Sequence, residues 1–331
     1  MYLQRFHEID VLKCASILTV VYIHSISTSL FVTNFSGNLC SDFTRFAVPG
    51  LFFAAGFLFN ISAVSTSQII RKKLIRILPP YILISLGIQF LNLPGLSYRL
   101  EDLGAKQLLY NLMFGNTVGI YYFIFVLFYL YSFSLFLRLI SRNSVFVIWG
   151  LSLLLLLLFV KILILEGYSF FALLRHPFFH SFSYLSGYVY CLYYRNIRAF
   201  LKNHIITFMF ILSLLDTTLI AITRVNGKSF SSYPIITQLH IYIFICLLII
   251  VGINSTKFTS IIRLLSNYSY GIFLLHFPIV RGCQLFYPEI ATDYSFSYAF
   301  ISWFAGVSIS ILLILVIRKV AGSYAKYIVG C

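Results

Sequence analysis

Charge is what this chain has least of: only 10% of its 331 residues are Asp, Glu, Lys or Arg, against 60% hydrophobic. The mean hydropathy of +0.94 lies far outside the range of soluble globular domains, and no stretch between the apolar runs is long enough to bury a core of its own. Paired cysteines are missing too. Cys14, Cys40, Cys191, Cys246, Cys283 and Cys331 form no C-x-x-C pair and no metal-ligand spacing. They are either inert thiols or, for Cys40 and Cys283 on the outer side, a bridge in an oxidising compartment. The first apolar segment follows a charged N-terminus as a signal sequence would, yet it is about 20 residues long, has no A-x-A exit and contains His24. There is also no internal repeat, direct or inverted, of the kind that builds a transporter from duplicated halves.

What the chain does have is a succession of apolar runs long enough to cross roughly 30 Å of hydrocarbon. Spans at about 11 to 31, 45 to 63, 77 to 97, 119 to 137, 145 to 165, 177 to 194, 205 to 222, 234 to 252, 268 to 287 and 296 to 317 predict an all-α, polytopic integral membrane helical bundle of about ten transmembrane helices. Residues 1–331 read as one membrane domain with no separate soluble domain. The net charge of +15 would suit a nucleic-acid partner, but loop charge asymmetry in a protein set among membrane lipids explains it more simply, and no nucleic acid is expected.

With ten spans both termini share one side. That side holds fifteen basic residues: Arg5, Arg71, Lys72, Lys73, Arg76, Arg138, Arg142, Arg195, Arg198, Lys202, Lys257, Arg263, Arg318, Lys319 and Lys326. The other holds seven, Arg99, Lys106, Lys161, Arg175, Arg224, Lys228 and Arg281, with Lys13 and Arg45 within or at the ends of spans. The basic side, and so both termini, is expected to be cytoplasmic.

Ionisable groups in lipid-depth helices cost several kcal/mol unless they face a protein interior or a wet cavity. Ten residues separate Lys13 from His24 in the first span. At roughly 100° per residue they project the same way, roughly 16 Å apart along the axis, with Asp10 near the same stripe. The imidazole of His24 suits a general base near neutral pH or, alternatively, a helix-to-helix hydrogen bond. Lys13 either serves the same stripe or snorkels to the headgroups while pairing with Asp10 at i, i+3.

Other residues have two readings each. Pro49, Gly50 and Gly56 in the second span suit a kinked helix around a cavity, or plain helix packing. Pro79 and Pro80 after Arg71, Lys72, Lys73 and Arg76 predict a third helix opening on proline, with the cations anchoring the inner surface. The longest loop, residues 98–118, reads as an amphipathic lid or a connector. His176 and His180 are four apart, but no H-E-x-x-H pattern or third ligand accompanies them, so no metal is expected. His276, mid-span, either lines a cavity with His24 or makes a structural hydrogen bond. Tyr121 and Tyr122 fit an aromatic belt or a binding role. Asp42 and Glu166 read as solvated loop carboxylates.

Several of these segments, in order along most of the chain, resemble acyltransferase family 3, integral membrane O-acyltransferases. Ile9-Asp10-Val-Leu-Lys13 through His24-Ser25 is similar to that family's opening helix, with its Arg or Lys, ten intervening residues and a His. Arg45-Phe-Ala-Val-Pro49 with Phe52-Phe53-Ala-Ala-Gly56-Phe57 resembles its second helix. Lys72-Lys73-Leu-Ile-Arg76-Ile-Leu-Pro79-Pro80-Tyr81 resembles its basic loop and third helix, and Ser269 to Pro278, with His276, its late Tyr-Leu-x-His-like segment. Two positions depart from the family: Ala55 stands where Ser is common before Gly-Phe, and Tyr121-Tyr122-Phe123 where a Trp-Phe pair is common. No hydrolase-type domain of the kind some relatives carry follows Cys331.

The resemblance implies transfer of an acyl group, most often acetyl, from cytoplasmic acyl-CoA to a hydroxyl of a cell-surface or lipid-linked glycan, in a bacterial inner membrane. It implies His24 as general base with Asp10 orienting Lys13, and Lys13, Lys73 and Arg76 holding the phosphates of acyl-CoA. Arg45, Tyr122 and His276 would then face the glycan or glycolipid acceptor. A transporter or flippase of lipid-linked saccharides is the alternative.

Overall fold

The computed structural model describes residues 5–27, 42–61, 66–90, 105–115, 118–165, 176–225, 234–255, 259–286 and 296–330. Among them there is no strand. The helices are α1 (His7–Ser27), α2 (Ala47–Asn60), α3 (Thr66–Phe90), α4 (Ala105–Phe114), α5 (Tyr122–Leu137), α6 (Arg142–Leu165), α7 (Pro177–Leu192), α8 (Tyr194–Asn203), α9 (Ile205–Val225), α10 (Pro234–Asn254), α11 (Thr259–Phe286), α12 (Phe296–Ala321) and α13 (Ala325–Ile328). Short 3-10 turns precede α2 (Thr44–Phe46) and α13 (Gly322–Tyr324). The chain is a polytopic all-α helical bundle protein. Each expected span coincides with a helix, and α1, α6, α9, α10 and α12 are long and apolar enough to cross a membrane. The others are shorter, as α2 and α5 are, or carry cations within the helix, as α3 does.

The described elements form two compact units. The first is built from Met1–Val20, Thr33–Ala63 and Phe136–Ser266, the second from Val21–Val32, Val64–Leu135 and Asn267–Cys331. In the first, Phe6, Ile9 and Leu12 of the α1 end pack with Phe53, Phe57, Tyr190, Ile241 and Ile245. Apolar burial alone gives helices little reason to associate in lipid, so close backbone approach carries the packing. Gly56 and Gly187 supply it reciprocally. A Cβ on Gly56 would lie 2.0 Å from the Tyr184 carbonyl oxygen, and one on Gly187 1.9 Å from that of Phe53. Gly56 therefore serves helix packing, while Pro49 sits within the first turn of α2, where its missing N–H costs nothing.

In the second unit the third expected helix starts earlier than its prolines predict. α3 begins at Thr66 and carries Pro79 and Pro80 inside it. Pro79 and Pro80 remove the N–H groups that would bond the Ile75 and Arg76 carbonyls, and the Tyr270 hydroxyl ties α11 to the same turn by donating to the neighbouring Ile77 carbonyl at 2.7 Å. The chain's last turns pack against the same stretch, and Arg76 Nε donates to the Gly330 carbonyl at 2.7 Å. Gly330 has φ +73°, a left-handed conformation that favours glycine.

Of the loop at 98–118, residues 105–114 form α4, whose Leu109, Tyr110, Met113 and Phe114 are exposed. Residues 98–104, 116 and 117 lie outside the described residues, as do Cys40, Glu166 and Arg175. Cys14, Cys191, Cys246 and Cys283 are free thiols.

The α2–α7 contact makes a sharp prediction. Gly187→Val drives a side chain into a backbone carbonyl that no rotamer can clear, so stability should drop by the upper end of the roughly 1–3 kcal/mol that overpacking costs, read as a lower thermal midpoint of the detergent-purified protein. Gly150→Ala, where a Cβ meets nothing within 4 Å, should leave it unchanged.

Candidate functional site

In the first unit the α1 end is a knot of compensated charge. Asp10 is 8% exposed, accepts from Arg5 Nε at 2.5 Å and takes the Ser266 hydroxyl at 2.6 Å. Lys13 Nζ donates to the Ser266 backbone carbonyl at 2.6 Å. Asp10 and Lys13 thus meet at Ser266, the residue that organises both. Glu8, 2% exposed, accepts the Tyr194 hydroxyl at 2.6 Å, with Arg198 Nε at 3.6 Å. The expectation for Asp42 needs correction: it is buried, not solvated, and lies 3.7 Å from Arg45 Nε. Its position one turn before Arg45 on the 3-10 entry to α2 makes it a helix-end counter-ion, which single-residue reading of a loop misses.

The same unit holds a carboxylate–imidazole pair that spacing along the chain does not reveal. Asp216 on α9 and His240 on α10, 5% and 0% exposed, meet at 2.5 Å between Oδ1 and Nδ1. They lie 24 residues apart on different helices, and the packing of α9 against α10 brings them together. The rings of Phe43 and Phe244 flank the imidazole, each at 5.8 Å. His180 is buried with its ring 4.4 Å from Phe52, and His176 precedes Pro177 at the start of α7. Among the described residues no three His, Cys, Asp or Glu side chains are grouped to hold a metal.

The second unit holds five of the sequence-predicted residues, His24, Lys73, Arg76, Tyr122 and His276, and puts His24 and His276 in contact. His24, near the end of α1, and His276 on α11 have ring centroids 5.4 Å apart at 39°, and Phe277 packs edge-on to His24 at 5.2 Å. His276 is fully buried, and its Nδ1 lies 2.9 Å from the Ile272 carbonyl oxygen. A carbonyl only accepts, so Nδ1 carries the proton and Nε2 presents its lone pair. Among the described residues that Nε2 has no hydrogen-bond partner. An unsatisfied buried polar atom costs about 1–3 kcal/mol.

Two residues before His276 on the same helix, the Leu274 carbonyl receives the hydroxyl of Tyr121 at 2.8 Å. Tyr121 is fully buried while Tyr122 is only partly so, so packing gives Tyr121 the contact to α11. The Tyr121 ring meets Tyr81 edge-on at 5.6 Å. Tyr81 lies eight residues along α3 from Lys73, about 12 Å of helix.

At the polar end of α3, before the apolar run that begins at Ile77, Lys73 sits over the Tyr131 ring at 5.3 Å and Arg76 is anchored by Gly330. Burial, with the like charge of Arg76 beside it, pushes the Lys73 ammonium down to about 8. Arg71, Lys72, Arg318, Lys319 and Lys326 belong to this unit as well, and among its described residues there is no carboxylate. Arg318 Nη1 donates to the Tyr268 hydroxyl at 2.6 Å.

A buried imidazole with its lone pair presented, beside a second imidazole, can accept and pass a proton. A cluster of cations can hold a polyanion. No curated protein and no solved structure matches the chain. The family model described as an acyltransferase domain matches residues 6–319, nearly its whole length. The order of motifs from the Lys13–His24 helix to the His276 helix and this match agree: the chain belongs to acyltransferase family 3, the membrane acyltransferases.

Proposed function

We propose that this protein moves an acyl group, most often acetyl, from cytoplasmic acyl-CoA to a hydroxyl of a cell-surface or lipid-linked glycan. The observation that carries this reading is the His24–His276 ring pair inside an acyltransferase-domain chain. At lipid depth an imidazole pair is an expensive arrangement without a chemical use. His24 is the general base. It takes the proton of the acceptor hydroxyl as the oxygen attacks the thioester carbonyl, the C–S bond breaks, and CoA leaves as the thiol.

Lys73 and Arg76 hold the donor's phosphates from the cytoplasmic side, with Lys13 and Asp10 belonging to the same proposal through α1, the helix they share with His24. The excess of cations over carboxylates in the second unit suits a ligand that carries several negative charges. Arg45, its charge balanced by Asp42, and Tyr122 are the proposed acceptor contacts. The fifteen-to-seven excess of basic residues on the side of both termini supports a bacterial inner membrane orientation with the termini in the cytoplasm.

In lipid nanodiscs, the protein should release CoA from acetyl-CoA when a lipid-linked glycan extract is present. His24→Ala should leave the protein folded and lower that rate by roughly 10² to 10⁴. Wild-type CoA release by the variant sinks the reading, and a flippase would release no CoA at all.

The Lys73 ammonium, pushed down to about 8, loses its charge as pH rises through that value, so its hold on the phosphates is present below pH 8 and fades above it. KM for acetyl-CoA should therefore climb between pH 7 and pH 9. Lys73→Arg, which stays charged throughout, should flatten that rise, measured in the same CoA-release assay.

A further inference from the structure

We infer that His276 is a positioning residue for the acyl transfer: its Nε2 lone pair accepts the N–H of the protonated His24 ring and so steadies the imidazolium while the thioester is opened. The inference rests on the reading above and extends it to a second residue with a defined tautomer.

Three observations carry it. The Nδ1 proton is committed to the Ile272 carbonyl at 2.9 Å, one turn back on the same helix. That bond fixes the ring's tautomer and orientation, as a carbonyl or carboxylate on the far nitrogen commonly does. The opposite nitrogen is buried without a hydrogen-bond partner among the described residues, and the imidazole whose ring lies 5.4 Å away is His24. The N–H on the His24 nitrogen away from the acceptor hydroxyl becomes a stronger, cationic donor once the ring is protonated, and it closes on the lone pair that has no partner among the described residues.

A merely structural histidine would be served by the Ile272 bond alone. α11 holds the ring firmly: the Tyr121 hydroxyl binds the Leu274 carbonyl, and Gly306 of α12 lets that helix approach, its would-be Cβ 4.0 Å from the His276 carbonyl oxygen and 2.8 Å from Val280 Cγ2.

The proton balance is closed. The acceptor oxygen forms its bond to the acyl carbon as its proton passes to His24. The His24 imidazolium shares its N–H with His276 Nε2 while the C–S bond breaks. The proton then goes from His24 to the departing sulfur, which leaves as CoA thiol, and both rings return to neutral. No oxidant, metal or further reactant is required.

The test separates the Nδ1 role from the Nε2 role. In His276→Asn the amide N–H takes over the donor to Ile272, but nothing replaces the Nε2 lone pair. In nanodiscs with acetyl-CoA and a lipid-linked glycan extract, His276→Asn should keep its thermal midpoint and its KM for acetyl-CoA, and lose kcat by about 10²-fold. His276→Ala, which opens room for a free ring, should recover at least tenfold of its lost rate when imidazole is added to the assay.

Wild-type kcat in His276→Asn would overturn the inference, and so would a kcat loss in His276→Ala that imidazole does not restore. If His276→Asn fails to fold, the rescue of His276→Ala decides alone. A His24→Ala variant that transfers normally would instead overturn the acyl-transfer reading itself, whereas an inactive His24→Ala with an unaffected His276→Asn would remove only the role of His276.

Discussion

A polar atom at lipid depth must find a partner within the protein, and this constraint organises everything else in the fold. All four described carboxylates obey it: Asp10 with Arg5 and Ser266, Glu8 with Tyr194 and Arg198, Asp42 with Arg45, Asp216 with His240. The compensations differ in kind. Glu8 and Asp10 are balanced by cations near a helix end, where water competes, while Asp216 and His240 satisfy each other in a buried pair. His276 is the contrast. One nitrogen is answered by its own helix and the other is not, in a place where an unanswered lone pair is costly.

Charge is also divided unevenly between the two units. The described carboxylates all belong to the first, whereas the described charged residues of the second are cations. Lys73 shows the tension in a single side chain. It is drawn over the Tyr131 ring and kept beside Arg76, so its charge is held less firmly than that of a solvated lysine.

Much of the fold was legible in the residue pattern because span length and apolarity answer to one parameter, the thickness of the hydrocarbon. Each expected span falls on a helix for that reason. His24 and His276 were legible for the complementary reason, that imidazole among leucines and phenylalanines is costly. What stayed hidden depends on which helices become neighbours. Nothing along the chain pairs Asp216 with His240, or chooses Tyr121 over Tyr122 for the α11 contact. The tautomer of His276 is set by a carbonyl four residues back and needs coordinates to read. The start of α3 was misplaced because two prolines resemble a helix opening, while the helix in fact runs through both of them.

The tie between Arg76 and the Gly330 carbonyl joins groups 254 residues apart. The segment that holds Gly330 is made long after α3, so the Arg76 guanidinium cannot meet this carbonyl until that segment is in place. A contact so distant along the chain closes late, after the first helix with its histidine already exists.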